Sequence, residues 1–324
     1  MAHFPLNFDV PMIYHRRFFL LMGSAALVAS ACTRTTQPDS QTAKAVKRVK
    51  HAFGETEVPT NPTRVIVLGY TTVEAVLAHG VQPIGAPDGV VSSLSHLSLD
   101  NEITADVGSP AQPNLETIVA LKPDLILTSK YRLGDGYDQL AQIAPTVVLD
   151  IDGNHQWREL TRLCGEALGK QTETQTLAAA YEAKLQKIKD QLSQTDKQPQ
   201  VSIVSIFPGM IRAAGTETFA GSVLADAGTA RPPSQSQAQG PQNISLESLD
   251  LLDGDIIFIM GLQGDTDMAT QVQTEIERIK AQPLWSQLKA VQNNQVYEVD
   301  SHWMIGSYIA ANLILDDLLT YIGS

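Results

Sequence analysis

Six side chains stand just beyond short apolar runs and have types suited to gripping a ligand. Tyr70 follows Val65–Leu68, Lys130, Tyr131 and Arg132 follow Leu125–Thr128, Arg212 lies past Val201–Ile206, and Trp303 comes after Val296–Val299. Ring faces combined with a guanidinium fork suit a molecule that has an apolar shell and negatively charged oxygens on its outside. Singly, each residue has a plainer meaning, because a Tyr or Trp at a strand end is often half-buried filling and an exposed Arg is often only a solvated charge. Bare-metal capture fits less well. His79, His96, His155 and His302 are scattered and form no close ligand pair, whereas a naked cation needs several His and carboxylates converging. A metal already wrapped in an organic chelator needs few protein ligands, so no metal-ligating residue is assigned.

The sequence contains no glycine-rich dinucleotide fingerprint, phosphate loop, nucleophile elbow, zincin helix or paired Cys motif, the signatures of the commonest catalytic sites. No catalytic residue and no resident cofactor is therefore expected. An enzyme or a metal-cluster assembly protein stays as the alternative from another class.

Parallel strands have to carry those ligand-gripping residues. From Arg64 onward, β-branched runs such as Val65–Leu68, Leu125–Thr128 and Val147–Leu149 alternate with helical spacings such as Val73, Val76 and Leu77, the pattern of an α/β fold covered on both faces. Gln171 to Gln194 differs: Leu177, Tyr181, Leu185, Ile188 and Leu192 recur every three or four residues among Lys, Glu and Gln, which predicts one amphipathic helix about 36 Å long. That exceeds a crossover within one small sheet, so the helix is expected to join two lobes. An internal echo supports the division. Asn114-Leu115-Glu116 leads to Asp124 and its strand just as Ser245-Leu246-Glu247 leads to Asp255 and its own, with the same Glu-to-Asp spacing. A capping Asn or Ser opens each short helix. In an open α/β sheet, ligands settle outside the carboxyl ends of the strands, where the six residues stand.

The N-terminus speaks of export. Arg16 and Arg17 precede an uncharged stretch from Phe18 to Ala31, a signal-peptide pattern too short to span a bilayer. Cys32 follows Ala29, Ser30 and Ala31 and is expected to become a lipidated N-terminus; Ala29 stands where such signals usually carry Leu. The Arg pair also suits a twin-arginine signal, so the export route stays open. Cys164, among Leu160, Leu163 and Leu168, reads as a small buried hydrophobe. Removing residues 1–31, with two Arg and one Asp, takes the formal charge from −12 to −13, which disfavours nucleic acid. The expected organisation is signal peptide 1–31, flexible lipidated tether 32–50, first lobe 51–170, bridging helix 171–195 and second lobe 196–324.

Together, Asp106-Val107-Gly108, Pro113-Asn114-Leu115-Glu116 and Leu121-Lys122-Pro123-Asp124-Leu125-Ile126 resemble the periplasmic binding proteins for iron-siderophores and cobalamin. Ser129 to Arg132 with Tyr137, Gln139, Leu140 and Ile143 to Thr146, and later Phe219, Gly221, Leu224, Gly228 and Arg231 to Pro233, resemble the hydroxamate or citrate-type branch. The likeness covers residues 51 to 324. It implies two Rossmann-like lobes on one long helix, with an extracytoplasmic, lipid-anchored monomer serving an ATP-driven importer. It also implies a ferric siderophore as ligand, with cobalamin, haem or a free metal ion as the alternative. By the same resemblance, Glu116 and Glu247 would dock onto permease arginines; read alone, each is a first-turn acid favoured by its helix dipole. Ser109 and Pro110 occupy a region where ferric hydroxamate binders often carry an Arg.

Overall fold

The chain enters its fold through a hairpin of β1 (Val46–His51) and β2 (Gly54–Pro59). Our computed structural model describes residues 45–87, 89, 94–97, 105–194, 198–261 and 267–322. The hairpin corrects the expected tether, which was drawn through residue 50: Val49, in register with Thr56, and Val58, in register with Lys47, are both buried in the first-lobe core. Its lysines and arginine concealed it, because an edge strand tolerates outward charges. Arg48 pairs with Glu57 at 3.2 Å across the hairpin, and Lys47 Nζ donates to the Glu166 carbonyl at 2.5 Å.

The first lobe is built on β3 (Val65–Leu68), then β4 (Gly108–Ser109) and β5 (Gln112–Pro113) in a small antiparallel pair, then β6 (Leu125–Ser129) and β7 (Thr146–Leu149). Strands β3, β6 and β7 run parallel in that spatial order, and every residue in them is buried. Parallel bridges from Ile66 to Gly85 and from Ala86 to Asp106 extend the sheet beyond β3. The strand order therefore reverses between β3 and β6, the place where a doubly wound sheet opens a crevice. Gly108, at φ 77°, turns the chain so tightly that a Cβ would sit 2.7 Å from the Gln112 carbonyl oxygen.

The second lobe contains β8 (Val201–Phe207), β9 (Met210–Ala213), β10 (Gln242–Ile244), β11 (Ile256–Met260) and β12 (Val296–Val299) in the order β10-β9-β8-β11-β12. Strands β8, β11 and β12 are parallel, while β9 and β10 are antiparallel. The echoed aspartates do the same work in both lobes. Asp124 donates its backbone N–H to the Arg64 carbonyl at 2.9 Å and accepts from Arg64 N–H at 2.8 Å. Asp255 donates to the Gln200 carbonyl at 2.8 Å and accepts from Gln200 N–H at 2.7 Å. Each carboxylate thus fastens the start of one strand to the start of its neighbour, which explains why an acid at this place recurs.

The bridging helix runs from Gln171 to Leu192 and buries the expected Tyr181, Leu185, Ile188 and Leu192. It lies against the C-terminal helix Tyr308–Tyr321 and the first-lobe helix Trp157–Leu168. At this junction the Trp157 ring stands edge-on to Tyr181, Phe219 and Tyr308, with centroids 5.3, 5.7 and 4.9 Å away. Its indole N–H donates to Ser222 Oγ at 3.1 Å. Arg158 stacks over Trp157 and pairs with Asp226, which also accepts from the Tyr181 hydroxyl at 2.8 Å. First lobe, bridge and second lobe therefore meet in one node. A second tie is polar: buried Glu74 hydrogen-bonds with His96 at 3.1 Å, and His96 with Ser301 of the second lobe at 3.2 Å. Cys164 is completely buried in the first-lobe core, and that burial pushes its thiol pKa up. Among the described residues, no helix is long and apolar enough to cross a membrane.

Candidate ligand-binding site

Where the strands end, the lobes face each other across a cavity of about 610 Å³. That size and position suit a small organic ligand. The first lobe supplies Arg132, Asn154 and His155; the second supplies more of the wall, including Ser205, Phe207, Arg212, Glu217, Phe219, Met260 and Trp303.

Local structure explains how the two arginines arrive there. Strand β6 ends at Ser129 and the chain turns at once into the short helix Lys130–Leu133, which carries the exposed Arg132 to the cavity rim. The Arg132 guanidinium lies 4.8 Å from the centre of the Tyr131 ring, a cation–π contact that steadies it. Arg212 sits within β9, in register with Ser205 on β8 and Asn243 on β10, and its Nε donates to Asn243 Oδ1 at 3.3 Å. Neither arginine has a carboxylate ion-pair partner among the described residues. Both keep N–H donors available to an anion.

The wall between them mixes the apolar Phe207, Phe219 and Met260 with the polar Ser205, Glu217 and Thr218. Thr218 caps the helix Phe219–Ala227 by accepting from Gly221 N–H at 3.1 Å, which sets Phe219 at the helix start with its ring touching both the cavity and Trp157. Gly215 is required here: a Cβ would collide with the carbonyl oxygens of Gly240 and Gln239. Across the lobes, Asn154 Nδ2 donates to the Met304 carbonyl at 3.2 Å.

Of the six residues expected from sequence, the structure brings Arg132, Arg212 and Trp303 to this cavity and leaves three elsewhere. Tyr70 and Tyr131 lie half-buried against the first-lobe core. Lys130 turns outward to Asp150 and Asp152 at 3.1 and 3.7 Å, and these carboxylates hold its pKa above the usual lysine range. Trp303, expected to meet the ligand, is 1 % exposed, stacks on Phe258 at 4.5 Å and donates its N–H to Asp317 at 2.7 Å. It lines the cavity while most of its ring belongs to the core. Sequence reasoning gave no site role to Asn154, His155, Phe207, Glu217, Phe219 or Met260. The available signal was their place at or beyond the ends of β7, β8, β9 and β11, close to the rule that located Arg132.

Glu116 and Glu247 are exposed in the first turns of their short helices. Asn114 Oδ1 accepts from Thr117 N–H at 3.1 Å, capping the first helix. Glu247 is held below the usual carboxylate range by its own backbone N–H and the Ser245 side chain. Each helix leads into a parallel strand, so its start lies at the level of the strands' carboxyl ends. Cys32 lies outside the described residues.

Two α/β lobes, one connecting helix and a ligand-sized cavity at the strand ends define a bilobed solute-binding protein. A model of the family described as "Periplasmic binding protein" matches residues 65–302, and the chain belongs to that family. A Bacillus subtilis protein named "Probable siderophore-binding lipoprotein YfiY" is 33% identical over 320 residues, with 94% of this chain and 96% of that protein covered. The achromobactin-binding periplasmic protein of Dickeya dadantii is 33% identical over 272 residues, covering 81% of this chain and 87% of its own. The crystal structure of Staphylococcus aureus SirA complexed with staphyloferrin B matches with a TM-score of 0.72 at 31% identity, over 85% of this chain and 98% of that one.

Proposed function

We propose that this protein captures a ferric siderophore outside the cytoplasmic membrane and delivers it to the permease of an ATP-driven importer, without transforming it. The observation that carries this reading is the interlobe cavity, in which Arg132 and Arg212 face the apolar Phe207, Phe219, Met260 and Trp303. A ferric chelate with anionic oxygens meets the guanidinium groups, and its organic backbone meets the rings. The ligand class is a citrate or mixed citrate-hydroxamate siderophore, supported by a relative that is the Fe(3+) dicitrate-binding periplasmic protein of Escherichia coli, 30% identical over 284 residues. Tyr131 serves as the platform for Arg132. Cys32 carries the lipid that keeps the protein, as a monomer, at the outer face of the membrane. Glu116 and Glu247, exposed in the first turns of corresponding helices of the two lobes, meet basic groups of the permease.

The test is titration of the segment from Thr33 onward with ferric citrate, a ferric citrate-hydroxamate, cobalamin and haem, following tryptophan fluorescence. Quenching by the ferric chelates that is reduced in Trp303→Phe is the expected result. Selective binding of cobalamin or haem would replace the ligand assignment. Glu116→Ala and Glu247→Ala are expected to bind the chelate as wild type does while import in cells falls; lost binding would remove their docking role.

A further inference from the structure

Behind the cavity wall lies a cation that neither lining nor docking uses. Arg231 precedes Pro232 and Pro233, and its guanidinium is turned inward. Its Nη2 donates to the Ala214 carbonyl at 2.5 Å and to the Gln235 side-chain oxygen. Its Nε and Nη1 are buried without any partner, and no carboxylate pairs with it among the described residues. Gln235 is itself fully buried and held by Ile203 N–H at 2.9 Å and Ser202 at 2.6 Å, so the head group cannot swing freely. Burial lowers the Arg231 pKa to about 10, which leaves it cationic at neutral pH.

A buried charge without a counter-charge opposes folding. Ionisable groups perturbed by burial cluster at functional sites. Ala214, whose carbonyl Arg231 grips, lines the cavity. The residue that Arg231 holds thus separates its guanidinium from the ligand space. Glu217 is the carboxylate among the lining residues, and a fixed cation behind the floor offsets it.

We propose that Arg231 is a specificity-determining residue that acts through the wall: its preorganised charge makes the cavity favour anionic chelates over neutral ones without touching the ligand. This deepens the siderophore reading above and rests on it. Attraction across a low-dielectric wall falls off slowly and depends on ligand charge rather than shape.

The experiment compares Arg231→Gln, which retains a donor for the Ala214 carbonyl but loses the charge, with Arg231→Lys, which retains the charge. Dissociation constants are measured for ferric citrate, as the anionic probe, and for an uncharged ferric trihydroxamate, with circular dichroism verifying the fold. The expected result for Arg231→Gln is about tenfold weaker binding of ferric citrate with a change under about threefold for the neutral chelate. Arg231→Lys is expected to stay within about threefold of wild type for both. Equal losses for both probes, or a lysine variant as impaired as the glutamine one, would make Arg231 a scaffold residue and overturn the proposal. Should Arg231→Gln not fold, Arg231→Lys alone decides, because a purely geometric role forfeits the anionic ligand there too. Wild-type protein that binds neither chelate sinks the siderophore reading itself, an outcome distinct from variants that bind as wild type does.

Discussion

The two lobes share a plan and divide the labour unequally. Each has a parallel sheet whose first two central strands are laced together by an aspartate, Asp124 in one and Asp255 in the other. The first lobe brings to the cavity an exposed guanidinium, an amide and an imidazole on the short helical turns after β6 and β7. The second brings a fixed floor: Arg212 held between two neighbouring strands, a capped helix presenting Phe219, and Trp303 anchored by Asp317. A repeated backbone plan therefore does not imply a repeated site. Strand order decides where a cavity opens, while the turn after each strand decides what chemistry it holds.

The sharpest way to break this comparison is at the node joining the halves. Trp157→Ala removes a fully buried ring that touches bridge, second lobe and C-terminal helix, and is expected to lower stability by about 3–5 kcal/mol. Urea denaturation followed by circular dichroism reads this, and the single transition should separate into two as the lobes lose their common core; a loss below about 1 kcal/mol would show that the halves hold together elsewhere. Next in size are the two arginines. Arg212→Ala and Arg132→Ala should each weaken ferric chelate binding by about 1–3 kcal/mol, with Arg212 the larger because it is half-buried and its rotamer is already fixed by Asn243. The reverse order in titrations would place the dominant anion contact on the first lobe.

Smaller effects sharpen the equivalence of the scaffolds. Asp124→Ala and Asp255→Ala should each cost about 1–2 kcal/mol of stability, since each strands the backbone N–H of a strand start. A large inequality in thermal melts would mean that the shared spacing hides different loads. Lys130→Ala is expected to leave both the thermal melt and the chelate affinity as they were, because its partners Asp150 and Asp152 are exposed and such pairs contribute little. A clear affinity loss on titration would return Lys130 to the binding surface.

Much of the scaffold was legible because burial on both faces leaves uninterrupted β-branched runs, and because the Leu177 to Leu192 stripe has one helical reading. The echoed Glu and Asp were visible as a spacing, and their hydrogen bonds supply the reason for it. The hairpin before Pro59 was hidden because Lys47, Arg48 and Lys50 look like linker composition until their partners Glu166 and Glu57 come into view. At the site, Arg132 and Arg212 were found from charge and position alone. Phe219 and Met260 were not, since apolar residues at a cavity and in a core have the same composition, and only the fold tells which face is empty. Trp303 shows the converse: a ring at a strand end looked like a ligand contact, and most of it proved to be core.

The node of Trp157, Arg158, Tyr181 and Asp226 ties the bridge to both lobes at one place. Were one rigid body to turn against another about such a point, displacement would grow with the length of the lever arm. Phe219, in contact with Trp157, would then keep its place while groups farther out on the opposing lobe swept through an arc. Under such a turn the inner part of the cavity would hold a fixed calibre, and its outer jaw would take up the girth of whatever rested against it.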